Sequence, residues 1–399
     1  MHRRITLLLL LLPLALMLSA LLDTPFHKLW TGKLDGVLKS TAAPRVSAEE
    51  FWSGKFQANF EAWFEQELAP KAVLVRSDNS MNLVLFRDIS GHSGIPIVLG
   101  NQHTLFELNY INNLNNVSDV RGDIPPKSHY SVTESARRLG AAARAFRLLG
   151  IDFMVVFYPN KAVIWKQRVR PSYLLPGGAE AAAAGYQQLL ASLQAQGVPV
   201  IDGAAEFTRI AHEDPSFPLF NSGGTHWTDA GACQVARQIV AQMHFSNTGH
   251  ASLQCGLGKP EAAVGFDVDL ASLIDIWDNS RFRDPIPPLT PSLSTPIAGG
   301  AKNAWVVGTS FSGMLITELS QAGAFGEVRR EWYYRHTGRG SIKWTHELNA
   351  HQVVILEQWQ WSFLTANVME FLDDLTANAP RFAKALRRVD KESAGAEQP

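Results

Sequence analysis

The sequence predicts an α/β fold, a largely parallel sheet covered by helices on both faces, and three observations predict it. From Ser131 onward, helix-like and strand-like stretches alternate. The runs IDFMVVFYP (Ile151 to Pro159), NAWVVG (Asn303 to Gly308) and HQVVILEQ (His351 to Gln358) are strands, and the first is apolar without a break, as in strands buried on both sides. SVTESARRLGAAARAFRLLG and GAEAAAAGYQQLLASLQAQG are helical, each ending at a glycine, Gly150 and Gly197. Repeated units of this kind specify a sheet whose helices lie on its two faces.

In chain order, SAEEFWSGKFQANFEAWFEQEL (Ser47 to Leu68) opens with a capping-box pattern, Ser47 with Glu50, and continues through Phe51, Phe56, Phe60 and Phe64 as a helix with an aromatic face. A second helical stretch follows Pro70. IPIVLG (Ile95 to Gly100) and TLFEL (Thr104 to Leu108) are expected as short strands around a turn. Residues 111–130 are polar and expected as loop, and the Arg121-Gly122-Asp123 within them is read as chance. VPVID is a short strand, AAEFTRIAHE and TDAGACQVARQIVAQM are helices, and RDPIPPLTPSLSTPIAGG reads as a Pro-rich linker. FSGMLITELSQAG is expected as helix and GEVRREWYYR as strand. No repeat is present, and the charged tail after about Asp390 is expected to lack structure. The expected organisation is an N-terminal segment (1–24), a helical and short-strand part (25–130), the α/β domain (131–376) and a tail (377–399).

A chain of 399 residues with 46% hydrophobic content builds a large core. Thirty-six basic against 37 acidic residues leave no positive field to recruit phosphates, which argues against a nucleic-acid partner. The amino terminus carries His2, Arg3 and Arg4 and then an apolar run from Ile5 to Leu22. A bilayer span needs about 20 residues, and the Ser19-Ala20 region offers a poor cleavage site. The expectation is an uncleaved anchor with its basic end in the cytoplasm and the body exported; a cleaved signal is the alternative. The two cysteines, Cys233 and Cys255, either pair or remain two buried thiols, and their number and spacing do not suggest a zinc site.

Open α/β sheets place their chemistry at the carboxyl ends of strands, and two candidates fall there. In VVGTSFSG, Ser310 follows a buried strand at the turn into a helix, where a hydroxyl and unpartnered backbone N–H groups together supply a nucleophile and part of an oxyanion hole. The plainer reading is a helix cap. The stretch is not the Gly-x-Ser-x-Gly elbow, since Ser312 takes the last position. In FNSGGTHWTDAGA, His226 is presented from a glycine-rich turn beside Trp227, whose indole is expected to shield the imidazole and hold its rotamer. A lone histidine there is more often structural. A histidine on one strand-end loop and a serine on another make a base and nucleophile.

These residues resemble the alginate O-acetyltransferase proteins of the AlgJ and AlgX type, which show Asp-x-His-Trp and, much later, Gly-x-Ser-Phe/Tyr-Ser. The matching residues are Gly224-Thr225-His226-Trp227 and Gly308-Thr309-Ser310-Phe311-Ser312, with further agreement in VLGNQHTLFEL, in FYPNK with Lys161 and in VVILEQ with Glu357, across most of residues 48–376. The resemblance implies an SGNH-hydrolase-like α/β fold on the periplasmic face of the inner membrane. It implies acetyl transfer to hydroxyls of an exported polysaccharide, with Ser310 as nucleophile and His226 as base. A membrane-bound O-acyltransferase is the expected source of acetyl groups, and neither cofactor nor metal is expected.

One departure matters: the family's aspartate falls on Gly224. Three explanations stand. A backbone carbonyl, such as that of Gly224, accepts the Nδ1 proton; another acid substitutes, Asp229 being nearest although better suited to its helix start; or turnover is lost and polymer binding remains. Beyond Ser310, whose own N–H faces the oxyanion, the candidate oxyanion or substrate residues are Lys161, Tyr334 and Arg335. Lys161 would neutralise a carboxylated sugar or cap a strand end, and the aromatic and basic run from Glu331 to His336 would stack on and hold acidic sugars or form an edge strand. Glu357 is a site residue or a solvated strand end.

Overall fold

The computed structural model describes residues 34–35, 44–67, 71–89, 96–117, 131–243, 252–295, 302–333, 344–359 and 366–396. Its frame is a five-stranded, all-parallel sheet in the order β4-β3-β9-β7-β8, made by β3 (Asp152–Tyr158), β4 (Val200–Asp202), β7 (Ala304–Gly308), β8 (Val328–Trp332) and β9 (Val353–Trp359). The three inner strands are the apolar runs. All five residues of β7 are buried, and Val353 to Gln358 are buried in β9. β9, last in sequence, lies between β3 and β7 and so brings their carboxyl ends onto one rim.

Two apolar layers sandwich this sheet. One is built by α4 (Leu108–Leu114), α6 (Lys161–Ile164), α8 (Gly203–Glu213), α9 (Asp229–Gln242) and α11 (Ser312–Gln321), with Val156, Ile355 and Val306 below them. The other is built by α5 (Val132–Leu148), α7 (Gly178–Ala195), α12 (Trp344–Ala350) and α13 (Ala366–Ala396), over Val155, Leu356 and Val307. Successive strand residues point to opposite faces, which is why neighbours in one strand belong to different layers. The expected α/β architecture, a parallel sheet covered by helices on both faces, is thus present in the described residues. Ser131 caps α5 by accepting from Glu134 N, and the helix ends at Leu148, with Gly150 two residues on at a φ of +73°.

Three stretches differ from the sequence expectation. Residues 108–114, partly assigned to a loop, form α4, which buries Asn109, Tyr110, Ile111 and Leu114; its apolar positions are too few to show periodicity. The Pro-rich segment is no plain linker: β6 (Leu289–Leu293) pairs antiparallel with β5 (Leu253–Leu257), its Pro291 opposite Cys255. Cys255 is joined to Cys233 of α9, so the two cysteines are a disulfide that ties this ribbon to the helix following His226. At the end of the chain, α13 continues to Ala396, and Ala379 and Ala383, within the expected tail, are buried.

Ahead of the sheet lie α1 (Ala48–Trp52), α2 (Lys55–Glu67) and α3 (Lys71–Phe86), followed by the antiparallel hairpin of β1 (Ile97–Leu99) and β2 (Leu105–Glu107). α3 packs beside α10 (Asp269–Leu273): Asn79 Nδ2 donates to the carbonyls of Ile274 (2.9 Å) and Asp275 (3.2 Å). The apolar run from Ile5 to Leu22 lies outside the described residues, among which no helix is long and apolar enough to cross a membrane.

Candidate active site

At the rim where β7 ends, Ser310 and His226 meet. The Ser310 hydroxyl lies 2.8 Å from His226 Nε2, and Asp269 Oδ2 lies 2.8 Å from Nδ1 on the other side of the ring. A carboxylate only accepts, so Nδ1 carries the proton, and Nε2 is left to accept from Ser310. His226 is buried, Ser310 half-buried and the Asp269 carboxylate partly open. This is the arrangement of nucleophile, base and orienting acid that activates a serine.

Asp269 is the acid that sequence reading missed. It stands at the start of α10, 43 residues beyond His226, and its second oxygen accepts from the backbone N–H groups of Thr225 (2.8 Å) and Leu270 (2.7 Å). The carboxylate is therefore fixed from its own helix and from the histidine's loop together. The residue at 224 is explained by the same segment. A Cβ on Gly224 would lie 2.3 Å from the Asp267 carbonyl oxygen and 2.8 Å from that of Phe266. The chain that delivers Asp269 thus occupies the space a side chain at 224 would need.

Of the explanations for Gly224, substitution by another acid holds, with Asp269 in that place, and neither acceptor named from the sequence meets the ring. The Gly224 carbonyl is already bonded to Lys161 Nζ at 2.5 Å. Asp229 sits in the first turn of α9, behind the N-cap Thr228, whose hydroxyl accepts from Gly231 N; burial raises the Asp229 carboxyl. Asp267, nearer to Asp269, is pushed up to about 7 by burial and by the charges of Asp229 and Asp269.

One tether fixes the base against the nucleophile. Trp227, fully buried, donates from Nε1 to the Phe311 carbonyl at 3.1 Å, linking the residue after the base to the residue after the nucleophile. The expected shield is made by other rings: Phe311 and Phe266 lie 4.5 and 4.9 Å from the imidazole, centroid to centroid. Trp227 instead acts as a brace.

The nucleophile's turn is held from the adjacent strand. Glu357, at the carboxyl end of β9, is fully buried, not a solvated strand end. It accepts from Thr309 N at 2.5 Å and from the Thr309 hydroxyl at 3.0 Å. The Thr309 hydroxyl accepts from Phe311 N (3.2 Å), and Ser312 donates its hydroxyl to the Thr309 carbonyl (2.6 Å). The Ser310 N–H donates to no acceptor among the described residues, which leaves it available to an oxyanion.

Burial pushes the Glu357 carboxyl up to about 8, against the lowering effect of its bonds from Thr309. Raised above its unfolded value, it contributes stability that is complete below the ordinary carboxylate range and is lost as pH rises through about 8. Glu357→Gln keeps an acceptor for Thr309 and removes this titration. Its urea midpoint is expected to fall less than that of the parent between about pH 5 and pH 9.

Lys161 is not a substrate residue. It is 1% exposed, and its Nζ donates to the carbonyls of Leu105 (3.0 Å), Asn221 (2.7 Å), Ser222 (3.1 Å) and Gly224 (2.5 Å). One ammonium therefore gathers the β1–β2 hairpin and the turn that leads to His226. Burial lowers it to about 7, partly opposed by the charge of Asp269. Asn160, just before it, caps α6 by accepting from Ala162 N and donates to the Tyr110 carbonyl. Tyr334, Arg335 and His336 lie outside the described residues. Of their run, Glu331 and Trp332 end the edge strand β8, and Tyr333 is buried. Among the described residues no group of acidic, histidine or cysteine side chains is placed to hold a metal ion.

Sheet order, nucleophile turn and triad define an SGNH-hydrolase-like α/β protein with a Ser-His-Asp site. Residues 121–323 match the model of the SGNH hydrolase-like domain, acetyltransferase AlgX, and the chain belongs to that family. Among solved structures, the O-acetyltransferase domain of Pseudomonas putida AlgJ is 16% identical over 71% of this chain and 99% of its own, with a TM-score of 0.44. Pseudomonas aeruginosa AlgX is 18% identical over 72% of this chain and 67% of its own, at 0.46. Bacillus cereus PatB1 is 10% identical over 60% and 95%, at 0.38. No curated protein matches the chain by sequence.

Proposed function

We propose that this protein transfers acetyl groups to hydroxyls of an exported polysaccharide through an acetyl-serine intermediate. The observation that carries the reading is the unbroken chain of bonds from Asp269 through His226 to Ser310, in a member of the AlgX acetyltransferase family. Ser310 Oγ attacks the carbonyl carbon of the acetyl donor while its proton passes to His226 Nε2. The Ser310 N–H stabilises the tetrahedral oxyanion, and Asp269 stabilises the imidazolium. As the donor's leaving group departs it takes the proton from Nε2. A sugar hydroxyl then gives its proton to Nε2 and attacks the acetyl carbon, and as the bond to Ser310 Oγ breaks that oxygen takes the proton from Nε2, which restores the free enzyme.

The apolar run from Ile5 to Leu22 and its basic flank support placement at the inner membrane with the body in the periplasm. A membrane-bound O-acyltransferase is the proposed source of acetyl groups. A missing acid was the reason to consider a non-catalytic binding subunit, and Asp269 removes it. Hydrolysis and transfer part only at the second step, where water and sugar compete. Added to the protein with p-nitrophenyl acetate, a soluble acceptor polysaccharide is expected to gain ester-linked acetyl while free acetate falls, with Ser310→Ala inactive in both. Acetate release that ignores every acceptor tested would instead mark an esterase.

A further inference from the structure

We propose that the outer face of the N-terminal helices α1 to α3 lies in the interface of a lipid bilayer. Of the sixteen large apolar side chains exposed among the described residues, nine fall between Val46 and Phe86. Most of the others are scattered, and scattered exposure needs no partner.

α3 shows how the face arises. Its buried positions are Ala72, Asn79 and Leu83, the stripe that rests on residues 274–277. Leu74, Met81 and Leu85 repeat the same spacing two residues later, about 200° round the helix, and are 56%, 58% and 66% exposed. Only Asp78 interrupts this outer stripe, and a helix largely apolar on opposite faces is covered on both in its working state. α2 has no buried residue through Trp63. Its Phe56, Phe60 and Trp63 stack along one side at i, i+4 and i+7, touching one another at 5.8 Å. Trp52, 85% exposed, extends the row.

Two observations select lipid as the occupant. The apolar run Ile5–Leu22 precedes α1 by about 25 residues, a tether of at most roughly 90 Å, so the face stays within reach of any membrane holding that run. Between them the three helices expose indole and phenyl rings and aliphatic side chains, the mixture suited to the boundary of headgroups and acyl chains. Residues 45–88 carry five basic and seven acidic side chains, so the attraction is apolar and does not require anionic lipid.

This inference shares with the proposed function the reading of residues 5–22 as membrane-inserted, and the test separates the two. Full-length protein in phosphatidylcholine nanodiscs is spin-labelled singly after Leu14→Cys, Trp52→Cys, Leu85→Cys or Gln187→Cys, the native cysteines being paired. Collision of the label with oxygen and with a water-soluble nickel chelate is then measured. The oxygen-to-nickel ratio is expected to be several-fold higher at 52 and 85 than at 187, unchanged by high salt, and to fall at 52 when Met81→Glu is added. Ratios at 52 and 85 equal to that at 187 would overturn the proposal even with a high ratio at 14. Shielding of both positions from both reagents would overturn it in favour of a protein partner or second copy. High ratios at 52 and 85 with a water-exposed 14 would uphold the docking face and remove only the anchor.

Discussion

Asp269→Asn is expected to lower the rate of acetyl release from p-nitrophenyl acetate by on the order of 10⁴-fold while the protein stays folded. The amide keeps the volume of the carboxylate, and its oxygen still accepts from Thr225 N and Leu270 N. Its NH₂ then faces Nδ1 as a donor, which turns the imidazole to the tautomer with its proton on Nε2. Ser310 would meet a donor where it needs an acceptor. Thermal unfolding should scarcely move, and Ser310→Ala should lose more, on the order of 10⁶-fold. A variant as active as the parent would show that Asp269 does not serve the base.

Lys161→Met should do the largest structural damage of any single change near the site. Methionine fills the space but donates nothing, so four buried carbonyls lose this donor; those of Ser222 and Asn221 keep a backbone N–H, from Leu105 and Gly224, while those of Leu105 and Gly224 lose the ammonium that meets them. Each unsatisfied buried group costs about 1–3 kcal/mol, against a total stability of about 5–15 kcal/mol for an ordinary domain. The expected result is a fall of at least about 3 kcal/mol in unfolding free energy, read from urea titration. A second reading distinguishes loop release from general weakening. In urea-free buffer, where the variant is still folded, the low-field NMR signal of the His226 Nδ1 proton should broaden or vanish while the helical circular dichroism is kept. Lys161→Arg should not rescue it, because the four carbonyls converge on one point and a planar fork cannot reach them all.

Much of this architecture was legible in the sequence for a simple reason: the inner strands are buried on both faces and spell this out as apolar runs. His226 and Ser310 were legible because each follows or opens a regular element at a strand end. Asp269 was not. It lies in a stretch without helical or strand periodicity, in a helix of five residues, and reaches the histidine only through tertiary packing. The signal that existed was negative: a glycine at 224 where an acid belongs, which the structure explains as room for the backbone that brings the acid from elsewhere. The ribbon of β5 and β6 hid behind its prolines, which edge pairing tolerates. Lys161 and Glu357 misled through a rule that usually holds, that charged side chains face water. Both are buried here because backbone carbonyls or Thr309 meet their polar atoms.

The proposed chemistry depends on one covalent species. Protein mixed with p-nitrophenyl acetate, quenched in acid within a turnover and digested, should yield a single acetylated peptide, the one containing Ser310, with none from His226→Ala treated alike. Acetyl found on another residue, or on the Ser310 peptide equally in both proteins, would contradict a serine activated by His226 and Asp269.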